Sequence, residues 1–218
     1  MKELQNRLYE VGLIPVIAID HVNDAEGLAD ALLEGGIPVA EITFRTEAAA
    51  EVIASLHEKR PELLIGAGTV FDATHLSMAQ AAGAKFALSP GLDPVLIEEA
   101  RRLGIHYFPG GMTPTDFQVG AKLQVSVFKF FPAAAAGGIP LFRSIMAPFG
   151  HLGIRAIPTG GVTAENLATW LSEPGVLAVG ATAIASRDAI ASRDWAGIRD
   201  RAKQASVTVS QIRELRTP

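Results

Sequence analysis

The chain has 218 residues, a net charge of −4 and no cysteine. That length buries a sizeable core without cross-links or metals, and the absent thiols exclude a disulfide framework, a zinc–thiolate site and a cysteine nucleophile. Dispersed basic residues argue against a nucleic-acid surface, and apolar runs of strand length, broken by Gly or Pro, argue against a membrane span.

Residues 1–7 hold acid and amide where a signal peptide needs an apolar stretch, so a cytoplasmic enzyme of small metabolites is expected. Apolar, β-branched stretches then recur at residues 13–19, 39–44, 63–67, 86–88, 105–108, 125–131, 154–158 and 176–180. Helical patterns fill much of what lies between. Asn23-Asp24-Ala25-Glu26 reads as a capping-box start, and Asp93-Pro94 as an N-cap before a first-turn proline. Ala-rich amphipathic stretches predict helices at 48–58, 75–82, 95–103 and 189–215.

Eight strands alternating with helices predict an α/β protein with a parallel sheet. The count fits a single-domain (β/α)8 TIM barrel over residues 1–218. A doubly wound open sheet would want a Gly-rich turn after the first strand, where Ile19-Asp20-His21-Val22 stands.

Barrel enzymes carry their chemistry at the C-terminal ends of strands. In the second predicted strand, alternation puts Glu41, Thr43 and Arg45 on one face and Ala40, Ile42 and Phe44 on the other. The sixth reads Val127-Phe128-Lys129-Phe130-Phe131-Pro132. If Phe128 and Phe130 pack against helices, Lys129 and Phe131 face the interior, and Lys129 approaches Glu41 across the core. Desolvation disfavours the charged form of an amine, and a neutral amine is what Schiff-base chemistry on a carbonyl requires. The plain alternatives are a lysine that snorkels to water or a structural ion pair, although buried pairs contribute little to stability.

Small residues end the other strands: Gly66-Ala67-Gly68-Thr69, Ser89-Pro90-Gly91 and Pro109-Gly110-Gly111. Pro158-Thr159-Gly160-Gly161 and Gly180-Ala181-Thr182 follow the last two, where many barrels bind phosphate through backbone N–H groups. The five histidines are scattered without ligand spacing, so no metal site is expected, even with Asp20, His21 and Glu41 considered together.

Taken together, Glu41, Arg45 and Thr46, Gly66-Ala67-Gly68-Thr69-Val70, Ser89-Pro90-Gly91, Phe128-Lys129-Phe130-Phe131-Pro132-Ala133 and Pro158-Thr159-Gly160-Gly161 resemble the 2-keto-3-deoxy-6-phosphogluconate aldolase family. Members of that family often also act on 4-hydroxy-2-oxoglutarate. The resemblance implies a class I aldolase of carbohydrate metabolism, in the Entner–Doudoroff pathway. It implies no metal or cofactor, a homotrimer on a (β/α)8 barrel, and pyruvate with a phosphorylated aldehyde or glyoxylate as small-molecule partners.

By this likeness Lys129 is the Schiff-base lysine and Glu41 the general acid/base. Arg45 and Thr69 hold the pyruvate carboxylate, while Phe131 and Pro90 line the pocket. Thr159 meets sugar-acid hydroxyls, and Gly160, Gly161, Gly180, Ala181 and Thr182 hold phosphate. Threonine at 159 favours a gluconate-type over a galactonate-type substrate. Two stretches depart from the family pattern: Gly180-Ala181-Thr182-Ala183 stands for a usual Gly-Gly-Ser-Trp, and the alanine run 133–136 for a polar stretch. Rival readings are a galactonate-type aldolase, a phosphate-binding epimerase or decarboxylase using Asp20 and Lys129, and a non-catalytic sugar-phosphate-binding barrel.

Overall fold

The structure, a computed structural model, describes residues 2–215. It opens with α1 (Lys2–Val11), which buries Leu4 and Leu8. Then come β1 (Leu13–Ile17), α2 (Ala25–Glu34), β2 (Val39–Thr43), α3 (Ala49–Lys59), β3 (Leu64–Gly68), α4 (Ala73–Ala81) and β4 (Phe86–Leu88). The middle of the chain gives α5 (Pro94–Leu103), β5 (His106–Phe108), β6 (Gly110–Gly111), α6 (Pro114–Lys122), β7 (Val127–Phe130) and α7 (Gly138–Met146). The last part supplies β8 (Arg155–Pro158), α8 (Ala164–Leu171), β9 (Val179–Ala181), α9 (Arg187–Ala191) and α10 (Trp195–Glu214).

Strand pairing within the sheets is parallel. One sheet has the order β5-β4-β3-β2-β1-β9 and the other β6-β7-β8. The expected ring of eight strands is thus seen as two curled ladders. The segment 106–111 is split at Pro109, with β5 bonding to β4 and β6 to β7. At the other junction, single parallel bridges join Ala156 to Val176 and Thr159 to Gly180. Strands β1, β2 and β3 are buried at every position, as expected of parallel strands covered on both faces.

Some local expectations are corrected. The expected capping box before α2 is replaced by a 3-10 turn, Val22–Asp24, with no side-chain cap. The Asp24 carboxylate instead accepts from Arg193 Nε at 2.8 Å. The predicted helix 189–215 breaks into α9 and α10, because Arg193 adopts a left-handed φ of 54° between them. Asp93 does cap α5, accepting from the Val95 N–H at 2.8 Å. Helices α1, α6, α7 and α8 lay outside the helical stretches read from the sequence.

Helix α1 covers the end of the sheets where strands begin. Its Gln5 donates to Ser126 Oγ just before β7, and Arg7 to the Glu62 carbonyl just before β3. The opposite end, where strands finish, carries the polar side chains.

Candidate active site

Two aromatic side chains set the phase of β7. Phe128 stacks on Phe117 of α6 with ring centroids 4.4 Å apart. Phe130 packs against Phe142 of α7 and Trp170 of α8 at 5.3 and 6.4 Å. Since alternate residues of a strand face opposite ways, Lys129 turns to the inner face, 5% exposed. There its Nζ donates to Oε1 of Glu41 at 3.0 Å. Glu41 is fully buried on β2, and its Oε2 has no hydrogen-bond partner among the described residues. An orphaned buried carboxylate oxygen is costly unless something else binds it.

Glycines make the room for this pair. Gly68 of β3 lies opposite Thr43 of β2, and a Cβ on it would overlap Oε1 of Glu41. A Cβ on Gly66 would run into the Phe86 ring that fills the sheet interior next to it. Thr69, immediately after Gly68, holds a left-handed φ of 57°. For a β-branched residue that is a genuine outlier, and strain of this kind gathers at functional sites.

Strand β2 ends at Thr43, so the expected alternation out to Arg45 stops short and Arg45 sits in the following turn. Its Nε still reaches back to Thr43 Oγ1 at 3.1 Å. Among the described residues its guanidinium has no carboxylate partner, leaving the terminal fork available to an external anion.

Phe131 leads out of β7, one-third exposed, with its ring centroid 5.7 Å from Lys129 Nζ. Pro90 is exposed beyond β4. The residue before it, Ser89, is buried; its hydroxyl donates to the Gly91 carbonyl at 2.6 Å and accepts from the Gly110 N–H at 3.3 Å. Gly110 in turn pairs with Lys129 in the β6–β7 register. Ser89 therefore ties the end of β4 to the strand that backs the lysine.

After β8, the loops draw together. Thr159 is buried, donates to the Ile157 carbonyl at 3.2 Å and packs its side chain against Gly180. Its carbonyl and that of Gly160 accept from the N–H groups of Ala133 and Ala134 at 2.8 and 2.9 Å. A Cβ on Gly161 would collide with the Ala134 methyl, so the alanine run is what lets this glycine turn approach. Gly160 and Gly161 carry φ values of 95° and 79°, and Asn166 of α8 pins the turn by donating to the Gly161 carbonyl at 2.9 Å. Thr182 is exposed just past β9. Ala181 alternates to the face opposite Gly180, where it and Ala183 border a cavity of about 230 Å³ against α8 and α10.

Asp20 does not join Glu41. Its carboxylate is gripped by both Arg187 Nε and a terminal nitrogen at 2.7 and 2.5 Å, and these hydrogen bonds hold it below the usual carboxylate range. The sequence reading missed the parts of Thr43, Ser89 and Gly68, all of which act through a neighbouring strand. Thr43 carried a signal as the polar residue between Glu41 and Arg45 on one face, and Gly68 and Ser89 stood in the strand-end motifs Gly66-Ala67-Gly68-Thr69 and Ser89-Pro90-Gly91 without a role of their own.

Over residues 4–201 the sequence matches the KDPG and KHG aldolase family. The 2-dehydro-3-deoxy-phosphogluconate aldolase of Haemophilus influenzae is 37% identical over 194 residues, 89% of this chain and 91% of that protein. A solved structure of the KDPG aldolase of Legionella pneumophila, with pyruvate captured at low pH as a covalent carbinolamine intermediate, has a TM-score of 0.88. It is 36% identical and covers 92% of this chain and 97% of its own. The 2-keto-3-deoxy-6-phosphogluconate aldolase of Zymomonas mobilis ZM4 with 3-phosphoglycerate has a TM-score of 0.86 at 35% identity, covering 94% and 96%. A buried lysine against a carboxylate at the strand ends and a family match along nearly the whole sequence agree: the chain belongs to the KDPG and KHG aldolase family.

Proposed function

We propose that the chain is a class I, Schiff-base aldolase. It reversibly cleaves 2-keto-3-deoxy-6-phosphogluconate to pyruvate and glyceraldehyde 3-phosphate, and also takes 4-hydroxy-2-oxoglutarate to pyruvate and glyoxylate. The observation that carries this reading is the buried contact of 3.0 Å between Lys129 Nζ and Glu41 Oε1.

The amine must lose a proton before it attacks, and Glu41 is in hydrogen-bond contact to accept it. Lys129 then adds to the C2 ketone, giving a carbinolamine; Glu41 returns its proton to the departing hydroxyl, and loss of water leaves a protonated imine with Glu41 again a carboxylate. Electrons of the breaking C3–C4 bond flow into that cation and form an enamine. Glu41 takes the C4 hydroxyl proton as the aldehyde leaves, and its unpartnered Oε2 is the oxygen available for this. The same carboxyl returns a proton to C3, and hydrolysis of the imine frees pyruvate. Proton transfer of this kind typically supplies about 10²–10⁴-fold.

Arg45 and Thr69 hold the carboxylate, Arg45 through a two-pronged fork suited to it. Phe131 and Pro90 wall the pyruvyl end, and Thr159 meets the hydroxyls. The backbone around Gly160, Gly161, Gly180, Ala181 and Thr182 holds the phosphate. Ala181, where the family usually has glycine, keeps its methyl on the helix side and out of that cradle. Phosphate lies far from the reacting bond, so its binding energy serves to set C4 beside Glu41.

In this reading the two ladders form one closed (β/α)8 barrel and a single domain. The bridge between Thr159 and Gly180 and the run of β5 into β6 across Pro109 support that closure. Homotrimeric assembly rests on the family resemblance, and a cytoplasmic setting on the composition of the chain.

The test is reductive trapping. Cyanoborohydride with pyruvate adds a stable mass to the peptide holding Lys129; a label on any other residue overturns the assignment.

A further inference from the structure

We propose that Thr43 is a positioning residue that aims Arg45 at the substrate carboxylate, an inference that rests on the carboxylate-binding role of Arg45. Thr43 is buried beside the catalytic layer, two residues beyond Glu41 on β2. A hydroxyl has one proton and two lone pairs. Here the proton goes to the Ile17 carbonyl at the end of β1, at 2.8 Å. With its orientation fixed in that way, the oxygen presents lone pairs to Arg45 Nε at 3.1 Å.

The consequence is geometric. Arg45 is an exposed side chain in a turn, and a free arginine there samples many rotamers. Anchoring Nε fixes the plane of the guanidinium while its two terminal nitrogens stay unbonded among the described residues, a pair that can grip a carboxylate through two parallel hydrogen bonds. Less freedom then remains to be lost when the substrate binds. Thr46 supplies a contrast on the same turn. Its hydroxyl donates to the Ile19 carbonyl at 2.7 Å, a second tie to the chain after β1 that does not touch the guanidinium.

The experiment compares two probes, pyruvate and its neutral methyl ester, by the concentration giving half-maximal cyanoborohydride trapping on Lys129. Thr43→Val raises that concentration about tenfold or more for pyruvate, the size of a lost hydrogen bond to a charged group, and leaves the ester nearly unchanged. Thr43→Ser keeps the hydroxyl and behaves as wild type; Thr43→Ala repeats the deletion should valine crowd the site. Thr46→Val shifts both probes alike. Adding Thr43→Val to Arg45→Met produces no further loss, because the two act as one unit. Equal shifts for both probes in Thr43→Val and Thr43→Ala, or full additivity with Arg45→Met, overturn the proposal. If Arg45→Met itself leaves the pyruvate dependence intact, the carboxylate role of Arg45 falls, and the proposal with it.

Discussion

Gly68 and Glu41 share one space: the position a Cβ would take on Gly68 is filled by the Glu41 carboxyl, with its Cδ and Cγ only 2.7 Å away. The carboxylate that faces Lys129 is therefore held by the absence of a side chain on the neighbouring strand.

Gly68→Ala must push that carboxyl aside. Overpacking of this kind costs about 1–3 kcal/mol, so the protein should still fold. Turnover should drop toward the ~10²–10⁴-fold that a positioned acid–base group supplies. A melting curve and kcat on the same preparation check it, and normal turnover in a folded variant would show that Glu41 needs no such clearance.

Lys129→Met removes the nucleophile, and no pyruvate adduct should form. It also strands Glu41 in the core, where breaking a buried pair costs about 3–5 kcal/mol. The double variant Lys129→Met with Glu41→Gln should recover much of that stability and none of the activity. Denaturant titrations of the single and double variants read out the coupling; equal stabilities would mean the pair is not energetically linked.

Glu41→Gln separates the two chemical stages. Trapping with pyruvate should persist, since the lysine remains, while cleavage slows by roughly 10²–10⁴-fold. Single-turnover kinetics beside the trapping assay decide this, and a variant that cleaves at the parent rate removes Glu41 from its proposed role.

With the imine as electron sink, cleavage should be unaffected by EDTA. Loss of activity that returns on adding a divalent ion would point to a different aldol mechanism.

His106, partly buried on β5, gives a pH dependence of stability. Burial holds its imidazole below the ordinary 6.5. Below that pH the unfolded chain binds the proton more readily than the folded one, so stability falls as pH drops from 6.5 toward the folded value. Above 6.5 the contribution is fully present. His106→Gln should flatten the slope of denaturation midpoint between pH 7 and about 5; an unchanged slope assigns it to other groups.

How far the sequence could be read differs from residue to residue. Phe-Lys-Phe has a period of two, so Lys129 had to face away from its flanking aromatics, and their size required helical pockets such as those made by Phe117, Phe142 and Trp170. The Asp93 cap was equally legible, because donor and acceptor are two residues apart. Reading failed where a partner came from far along the chain. Asp24 looked like part of a cap, yet Arg193 claims it from 169 residues away. The long C-terminal helix looked continuous until the left-handed turn at Arg193 divided it.

What the sequence determined by itself was periodicity and chemistry: alternating strands and helices, a lysine inside an apolar strand, and a glutamate on a strand of its own. Only the tertiary structure decided that Lys129 and Glu41 stand 3.0 Å apart, that Gly68 clears space for the carboxyl, and that Thr43 holds Arg45. The physical reason is that strand register and sheet curl are set by contacts across the whole core, which no local pattern of residues encodes.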